Sequence, residues 1–186
     1  MRIVGGRLGG RPLVGPKPGI GSIRPTSDRL RESLFNVLAH AYDHPLDGAR
    51  VLDLFAGTGA LGLEAMSRGA AFALFVDDGA EARALIRGNV EALGLGGTTK
   101  IFRRDATRLG AAHPVEPFAL AFLDPPYGRG LAQKALASAR AGGWLVPGAL
   151  AVVEEAANAE FAPPEGFVEL ERRDYDDTRV IFLRMR

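Results

Sequence analysis

The stretch Arg50-Val-Leu-Asp-Leu-Phe-Ala-Gly-Thr-Gly-Ala-Leu-Gly62 decides the fold class of this chain. Its first six residues form a short apolar run that is typical of a buried strand. The glycines that follow are typical of a tight loop that opens a helix, and we expect that helix to end near Gly69. A strand, a glycine loop and a helix in this order form the first unit of a parallel α/β sheet.

The same alternation of strands and helices continues along the chain. Capping and periodicity predict a helix that starts at Ser27 or Asp28 and another that ends before Gly94. Further strands are predicted at 72–76, 100–103, 118–123 and 150–153, with a helix at 131–140. Residues 168–171 and 178–184 are predicted to form an antiparallel hairpin around an Asp176-Asp177 turn. We therefore predict a Rossmann-like α/β fold with a mostly parallel seven-stranded sheet and helices on both faces.

The first 26 residues differ from the rest of the chain in composition. They are rich in Gly and Pro, and their alternating apolar residues predict a short hairpin. No acidic residue occurs before position 28, whereas five cations do: Arg2, Arg7, Arg11, Lys17 and Arg24. We expect residues 1–26 to be a basic hairpin extension and residues 27–186 to be one domain. The extension suits a polyanionic partner, although a solvated tail would have the same composition.

Overall composition excludes several classes of site. The chain has no cysteine, which rules out disulfides, thiolate catalysis and Cys-ligated zinc. Its three histidines, His40, His44 and His113, lack the spacing of metal ligands, so we expect no metal site. No apolar run reaches the length of a membrane span, and no signal-peptide core is present. We expect a cytoplasmic monomer with no membrane partner.

An acidic residue lies in or just after the carboxyl end of each of the first four predicted strands. These residues are Asp53, Asp77, Asp105 and Asp124. Ligands of an open parallel sheet bind beyond the carboxyl ends of its strands. The four carboxylates therefore predict one ligand cleft, although each alone could cap a turn.

The glycine loop leaves two kinds of cofactor open. Gly57-Thr58-Gly59 with Gly62 matches the dinucleotide fingerprint, and Asp77 follows about twenty residues later. Asp53 lies just before the loop, however, and its carboxylate would repel a pyrophosphate. S-adenosylmethionine has an ammonium, a sulfonium and no phosphate, so it matches better. We predict that Asp53 favours its cation and that Asp77 accepts from its ribose hydroxyls; a buried Asp that caps its own loop is the simpler alternative.

The motif Asp124-Pro125-Pro126-Tyr127 directly follows the fourth predicted strand. The prolines have no backbone N–H, so their carbonyls are acceptors without a competing donor. Asp124 adds an ionised acceptor, and Tyr127 can stack on a flat ring. Such a pocket suits the amino edge of a nucleobase and predicts methyl transfer to it, although a Pro-Pro turn that leaves a strand is a structural alternative.

At this point the sequence resembles a known family. Residues 51–59 together with Asp124-Pro-Pro-Tyr127 resemble the Rossmann-like, class I amino-methyltransferases. More narrowly, Arg2-Ile-Val-Gly-Gly-Arg7, Arg24-Pro-Thr26, Glu32-Ser-Leu-Phe-Asn36 and Tyr175-Asp-Asp-Thr178 are similar to the RsmD family of bacterial 16S rRNA guanine-N2 methyltransferases. The similarity covers essentially the whole chain.

The resemblance implies S-adenosylmethionine as cofactor, and 16S rRNA or an assembly intermediate of the small ribosomal subunit as partner. It implies that Asp105 contacts the adenine and that the target base, guanine 966 by family resemblance, lies against residues 124–127. The methionine end would be held by Asp53, Gly57 and Gly59, and Phe55 and Thr58 of the same motif would also contact the cofactor. The RNA side would comprise Arg2, Arg7, Arg11, Lys17, Arg24 and Thr26. The sequence departs from the family at the ribose position, where Asp77-Asp78 stands in place of an expected Glu.

Three other functions remain open from the sequence. An amino-methyltransferase could act on adenine N6 or cytosine N4 in DNA or RNA, although the chain offers no added domain to read duplex sequence. A nicotinamide-dependent oxidoreductase would use the glycine loop but leave Asp124-Pro-Pro-Tyr127 without a role. A non-catalytic RNA-binding module would keep the fold and differ in whether S-adenosylmethionine binds.

Overall fold

The computed structural model describes residues 1–19, 21 and 23–186, so positions 20 and 22 of the predicted extension lie outside the described residues. The strands are β1 (Arg50–Leu54), β2 (Phe72–Val76), β3 (Thr99–Phe102), β4 (Phe118–Leu123), β5 (Leu145–Ala156), β6 (Phe167–Tyr175) and β7 (Thr178–Met185). The α-helices are α1 (Asp28–Ala41), α2 (Ala60–Ser67), α3 (Ala80–Ala92) and α4 (Leu131–Ala141). Short 3₁₀ turns occur at Gly96–Thr98 and Ala106–Arg108.

The seven strands form one sheet in the order β3-β2-β1-β4-β5-β7-β6. β1 to β5 are parallel, whereas β7 runs antiparallel to both β5 and β6. This architecture confirms the predicted Rossmann-like fold and its antiparallel C-terminal hairpin. The strand order reverses between β1 and β4, and ligands of such sheets bind at that switch point, beyond the carboxyl ends.

Helices cover both faces of the sheet. On one face Phe35 of α1, Leu63 of α2 and Ile86 of α3 pack with Phe75 of β2 in one buried cluster. On the other face α4 packs over a second cluster, which is centred on the fully buried Trp144. Burial on both faces explains the nearly continuous apolar runs of the parallel strands.

The N-terminal segment forms a short antiparallel turn that packs on the domain. Arg2 and Pro12 form an antiparallel bridge, and the Ile3 amide donates to the Arg11 carbonyl at 2.9 Å. Ile3 and Leu13 are buried in the same apolar cluster as α1, α2 and α3. The segment therefore contributes to the core of the domain as well as to its surface.

β5 begins five residues earlier than the sequence indicates. Pro147-Gly148 is typical of a turn, and Gly148 does take a positive φ of 82°. The pairing of β4 with β5 shifts register between Phe118 and Leu120, opposite this dipeptide. An irregularity of this kind lets a strand hold a proline, which cannot donate a ladder hydrogen bond.

Candidate active site

One cavity of about 620 Å³ lies at the carboxyl ends of β1 and β4. It brings together most of the residues that the sequence singles out. The predicted residues that line it are Asp53, Phe55, Gly57, Thr58, Asp77, Asp105, Asp124, Pro125, Pro126, Tyr127, Arg24 and Thr26. Gly59 lies in the same loop but not on the cavity wall, and Arg2, Arg7, Arg11 and Lys17 lie elsewhere.

The glycine loop follows β1 as a tight turn. Phe55 takes a φ of 56°, a strained value for a residue with a side chain, and Gly57 and Gly59 also have positive φ. Gly62 sits on the first turn of α2, where a Cβ would lie 2.4 Å from the Phe75 ring and 3.0 Å from Oδ2 of Asp53. Only glycine at position 62 lets α2 approach β2 so closely.

Asp53 lies at the base of the loop and is almost completely buried. Its Oδ2 accepts a hydrogen bond from the Gly62 amide at 2.9 Å. Burial raises the pKa of Asp53 to about 8, because the ionised form is poorly solvated there. The carboxyl thus caps its own loop and also faces the cavity, where a cationic group would favour its ionised form.

Two further carboxylates organise the next loops. Asp77 accepts from the Gly57 amide through Oδ2 and from the Gly79 amide through Oδ1, both at 2.9 Å, so it fastens the β1 loop to the β2 loop. Asp78 is more exposed and also lines the cavity. Asp105 accepts from the Thr107 amide and hydroxyl, and these bonds lower its pKa.

Asp124 belongs to a buried hydrogen-bonded network. The Thr26 hydroxyl lies 3.0 Å from Oδ2 of Asp124 and 3.1 Å from Oε2 of Glu154, a residue at the carboxyl end of β5. The Tyr127 hydroxyl donates to Oε1 of Glu154 at 2.5 Å. Burial, and next the charge of Glu154, raise the pKa of Asp124 well above its usual value, and burial also raises the pKa of Glu154.

Tyr127 lines the cavity. Its hydroxyl is hydrogen-bonded to Glu154, and the Arg24 guanidinium lies over its ring. The Arg24 guanidinium carbon lies 4.9 Å from the ring centroid, a cation–π distance. Nη2 of Arg24 also lies 3.6 Å from Oδ2 of Asp177 in the β6–β7 turn. A flat ring can approach Tyr127 on the Arg24 side only by displacing the guanidinium or by stacking beyond it.

Four cations of the N-terminal segment lie outside the cavity: Arg2, Arg7, Arg11 and Lys17. The Arg7 amide donates to Ser67, the last residue of α2, and the Arg11 side chain donates to the carbonyl of Ala92, the last residue of α3. Both helices begin at the cleft, so their last residues lie toward the opposite edge of the sheet. Nε of Arg2 is 3.7 Å from Asp28, and Lys17 is exposed.

Thr26 lies deeper in the site than its assignment to the RNA side suggests. The sequence puts it on the RNA side, but the structure buries it between two carboxyls, with 7% of its surface exposed. Thr26 also lines the cavity, so its hydroxyl lies beside the proposed position of the target base.

Sequence reasoning missed Glu154. The signal was present, because the apolar run Leu150 to Val153 is followed by Glu154-Glu155, an acidic pair at the carboxyl end of the fifth strand. Glu155 accepts from the Gly128 amide at 2.8 Å and so holds the loop that follows Tyr127. The pattern of an acid at each strand end therefore extends to five strands.

Two features are absent from the described residues. In the part of the chain that the structure describes, no three His, Asp or Glu side chains are grouped to hold a metal ion. Among the same residues, no helix has the length and apolar character that crossing a membrane requires.

Comparison with known sequences gives a consistent set of relatives. Residues 1–184 match the family model described as Conserved hypothetical protein 95. The chain is 41% identical over 155 residues to ribosomal RNA small subunit methyltransferase D of Escherichia coli, covering 83% of this chain and 74% of that protein. It is 42% identical over 130 residues to the putative rRNA methyltransferase YlbH of Bacillus subtilis, covering 68% and 67%.

The solved structures that resemble this chain include methyltransferases, as the sequence relatives do. The putative methyltransferase yhhF from Escherichia coli superposes with a TM-score of 0.82 at 32% identity, covering 100% of this chain and 97% of that one. An RNA methyltransferase from Salinibacter ruber in complex with S-adenosyl-L-homocysteine has a TM-score of 0.66 at 15% identity, covering 87% and 94%. The second likeness concerns the fold alone.

Proposed function

Because this chain belongs to the family of Conserved hypothetical protein 95, and a ribosomal RNA methyltransferase and a putative one are 41% and 42% identical to it over the aligned residues, we propose that it methylates ribosomal RNA. The methyl donor is S-adenosylmethionine. The acceptor that we propose is the exocyclic N2 of a guanine in 16S rRNA, guanine 966 by family resemblance. The observation that carries the proposal is the meeting of Asp124-Pro125-Pro126-Tyr127 with the glycine loop in one cavity at the switch point.

The residues of the cavity fit this donor. Asp53 is the acidic group at the glycine loop and suits the ligand ammonium, while Asp77 or Asp78 suits the ribose hydroxyls. Asp105 and Thr107 lie on the same wall, on the side that we assign to the adenine. When bound, S-adenosylmethionine supplies an electrophilic methyl group on a sulfonium.

The chain supplies the acceptors for the amino group of the base. The N2 nitrogen of guanine is a poor nucleophile because its lone pair is delocalised into the ring. Acceptance of its two hydrogens by the Asp124 carboxylate and the Pro125 carbonyl would favour a pyramidal nitrogen. Positive charge develops on that nitrogen as it gains the methyl group, so ionised Asp124 stabilises the transition state more than the ground state.

The same pocket chemistry suits adenine N6 and cytosine N4, so the product must be identified. The test uses radiolabelled S-adenosylmethionine and small ribosomal subunits from a methylation-deficient strain, followed by nucleoside analysis. We expect label in N2-methylguanosine. Label in N6-methyladenosine or N4-methylcytidine would overturn the choice of guanine. No label in ribosomal RNA, with S-adenosylmethionine bound, would overturn the proposed enzyme.

Affinity for S-adenosylmethionine should increase with pH up to about 8. The pKa of Asp53 is raised to about 8 in the free protein, so below that pH the carboxyl must lose a proton to pair with the ligand ammonium. Each pH unit below 8 should therefore cost about tenfold in affinity until the pKa of the bound state is reached.

Titration calorimetry in buffers of different ionisation enthalpy checks this prediction, because proton release on binding appears as buffer-dependent heat. Asp53→Asn is the matched control and should bind more weakly without the pH dependence. Equal affinity at pH 6 and pH 8 in the wild type would contradict the pairing of Asp53 with the ammonium.

The cations at the rim of the cavity, Arg24 and Arg129, should contribute more to RNA affinity than Arg7 and Arg11. Arg24 and Arg129 are exposed and line the cavity, whereas Arg7 and Arg11 lie near the far ends of α2 and α3. If both rim residues contact phosphates of single-stranded RNA, Arg24→Gln/Arg129→Gln should reduce the log–log salt slope of binding by about 1.4, roughly 0.7 per contact.

Filter binding across a salt series measures this slope. Arg7→Gln/Arg11→Gln removes the same charge and should change the slope less. The control Arg184→Gln/Arg186→Gln removes two charges near the amino ends of β4 and β5 and should leave it unchanged. If both test variants kept the wild-type salt slope of binding, these residues would not belong to the RNA interface.

A further inference from the structure

Two carboxyls of the site are bridged by a single hydroxyl group. Oγ1 of Thr26 is 3.0 Å from Asp124 and 3.1 Å from Glu154; Thr26 and Glu154 are buried, and Asp124 is partly buried at the cavity wall. A hydroxyl has one hydrogen to donate, so it can satisfy only one of two ionised carboxylates. The other contact is a hydrogen bond only if the second carboxyl carries a proton and donates it to Oγ1.

The number of donors therefore favours one shared proton in this network. With one proton on the pair, every contact is a hydrogen bond: one carboxyl donates to Thr26, Thr26 donates to the other, and Tyr127 donates to Glu154. Without that proton, two buried charges would face each other across a hydroxyl. In the free protein the charge belongs on Glu154, because ionised Glu154 would accept hydrogen bonds from both Thr26 and Tyr127, whereas ionised Asp124 would accept one from Thr26 alone.

We propose that Glu154 is a positioning residue for methyl transfer, because it takes up through Thr26 the proton that Asp124 gives up when the amino group of a base binds. This inference rests on the proposed methyl transfer. Glu154 touches no substrate in this scheme and acts only through Asp124. Its role goes beyond the acceptor function of Asp124, which needs only an ionised carboxylate.

The proton and charge balance is complete. When an amino N–H donates to Asp124, the O–H bond of Asp124 breaks as Oγ1 of Thr26 takes that proton, and the original Thr26 proton moves to Oε2 of Glu154. One negative charge is present before and after. Once the nitrogen has gained a methyl group, Asp124 takes its surplus proton. Both carboxyls are then neutral, and one proton leaves to water through the cavity onto which Asp124 opens.

Other charged groups near the pair act in known directions. The pKa of Asp124 is raised by burial, then by Glu154 and by Asp53 on β1, whereas the Thr26 hydrogen bond and Arg24 lower it. The pKa of Glu154 is raised by burial and lowered by Tyr127, Thr26 and Arg24. Thr178 on β7 lies 3.5 Å from the Tyr127 hydroxyl and carries no charge. Glu154 is thus the neighbouring group whose charge contributes most to raising the pKa of Asp124.

The first test measures the pKa of Asp124 directly, by carbon-13 NMR of labelled aspartate carboxyls in the protein without RNA or cofactor. Glu154→Gln keeps an acceptor for Tyr127 and a donor for Thr26 but cannot be charged. If Glu154 carries the charge in the wild type, this variant should lower the pKa of Asp124 by about one unit or more.

The second test is the pH profile of single-turnover methyl transfer, with Thr26→Ser as the variant that keeps the hydroxyl. The acid limb should move to lower pH in Glu154→Gln, and Thr26→Val should be about tenfold slower than Thr26→Ser at equal S-adenosylmethionine affinity. An unchanged pKa of Asp124 and an unmoved acid limb in Glu154→Gln would overturn proton sharing. Absence of methyl transfer in the wild type would instead overturn the proposed function, and the NMR test would still decide the inference.

Discussion

Asp124→Ala should reduce single-turnover methyl transfer by about a hundredfold or more while leaving S-adenosylmethionine affinity nearly unchanged. The carboxylate is the charged acceptor that we assign to the amino group of the base, and its stabilising effect grows as positive charge develops on nitrogen. The residues that we assign to donor binding lie instead on the loops after β1, β2 and β3. Rapid quench with enzyme in excess over RNA measures the rate, and calorimetry measures the affinity.

Two further variants serve as comparisons for Asp124→Ala. Asp124→Asn keeps a neutral acceptor and should retain more of the rate than alanine does. Asp47→Ala removes an exposed carboxylate just before β1, at the opposite edge of the sheet, and should transfer methyl groups like the wild type. A folded Asp124→Ala protein as fast as the wild type would mean that the amino group is held by other acceptors.

The succession of strands and helices along the chain and the position of the cleft were predictable from the sequence, because both depend on local signals. Apolar runs with glycine or aspartate at their ends mark the strands, and parallel strands place those ends at one edge. That is why Asp53, Asp77, Asp105 and Asp124 were expected in one cleft and line one cavity.

The partners of these residues were not predictable in the same way. Thr26 and Glu154 are 128 positions apart, and nothing in either segment indicates that they meet. Arg31 lies on a helix where a charged residue is usually solvated, yet it is fully buried against Glu64. Periodicity shows which face of an element a residue occupies, whereas pairing across the fold depends on how the elements pack. β5 was predicted too short for a related reason, since its bulge at Pro147-Gly148 is allowed only by the pairing with β4.

Glu64→Ala should destabilise the protein by about 3–5 kcal/mol, the cost of removing one partner of a buried ion pair. The Glu64 carboxylate is fully buried and accepts from the Val4 and Gly5 amides at 2.9 and 2.8 Å. It also pairs with Nε of Arg31 at 3.3 Å and with Nε of Arg68 at 2.8 Å. Alanine would leave the buried Arg31 guanidinium without this carboxylate and two amides without acceptors. For a domain of this size the melting temperature should fall by about 10 °C.

The distribution of the loss of stability along the chain would show which segments the Glu64 carboxylate joins. Because its carboxylate joins the N-terminal segment to α2 and α1, hydrogen exchange at Val4 and Gly5 should accelerate more than exchange in the central strands β1 and β4. Glu91→Ala, at an exposed position of α3, is the matched control and should change stability by less than about 0.5 kcal/mol. Deletion of the N-terminal segment would remove the buried Ile3, Leu13 and Thr26 along with its cations, so point variants are the better test of RNA binding there. If Glu64→Ala melts like Glu91→Ala, the buried ion pair does not fasten the segment to the domain, and the apolar contacts of Ile3 and Leu13 must do so.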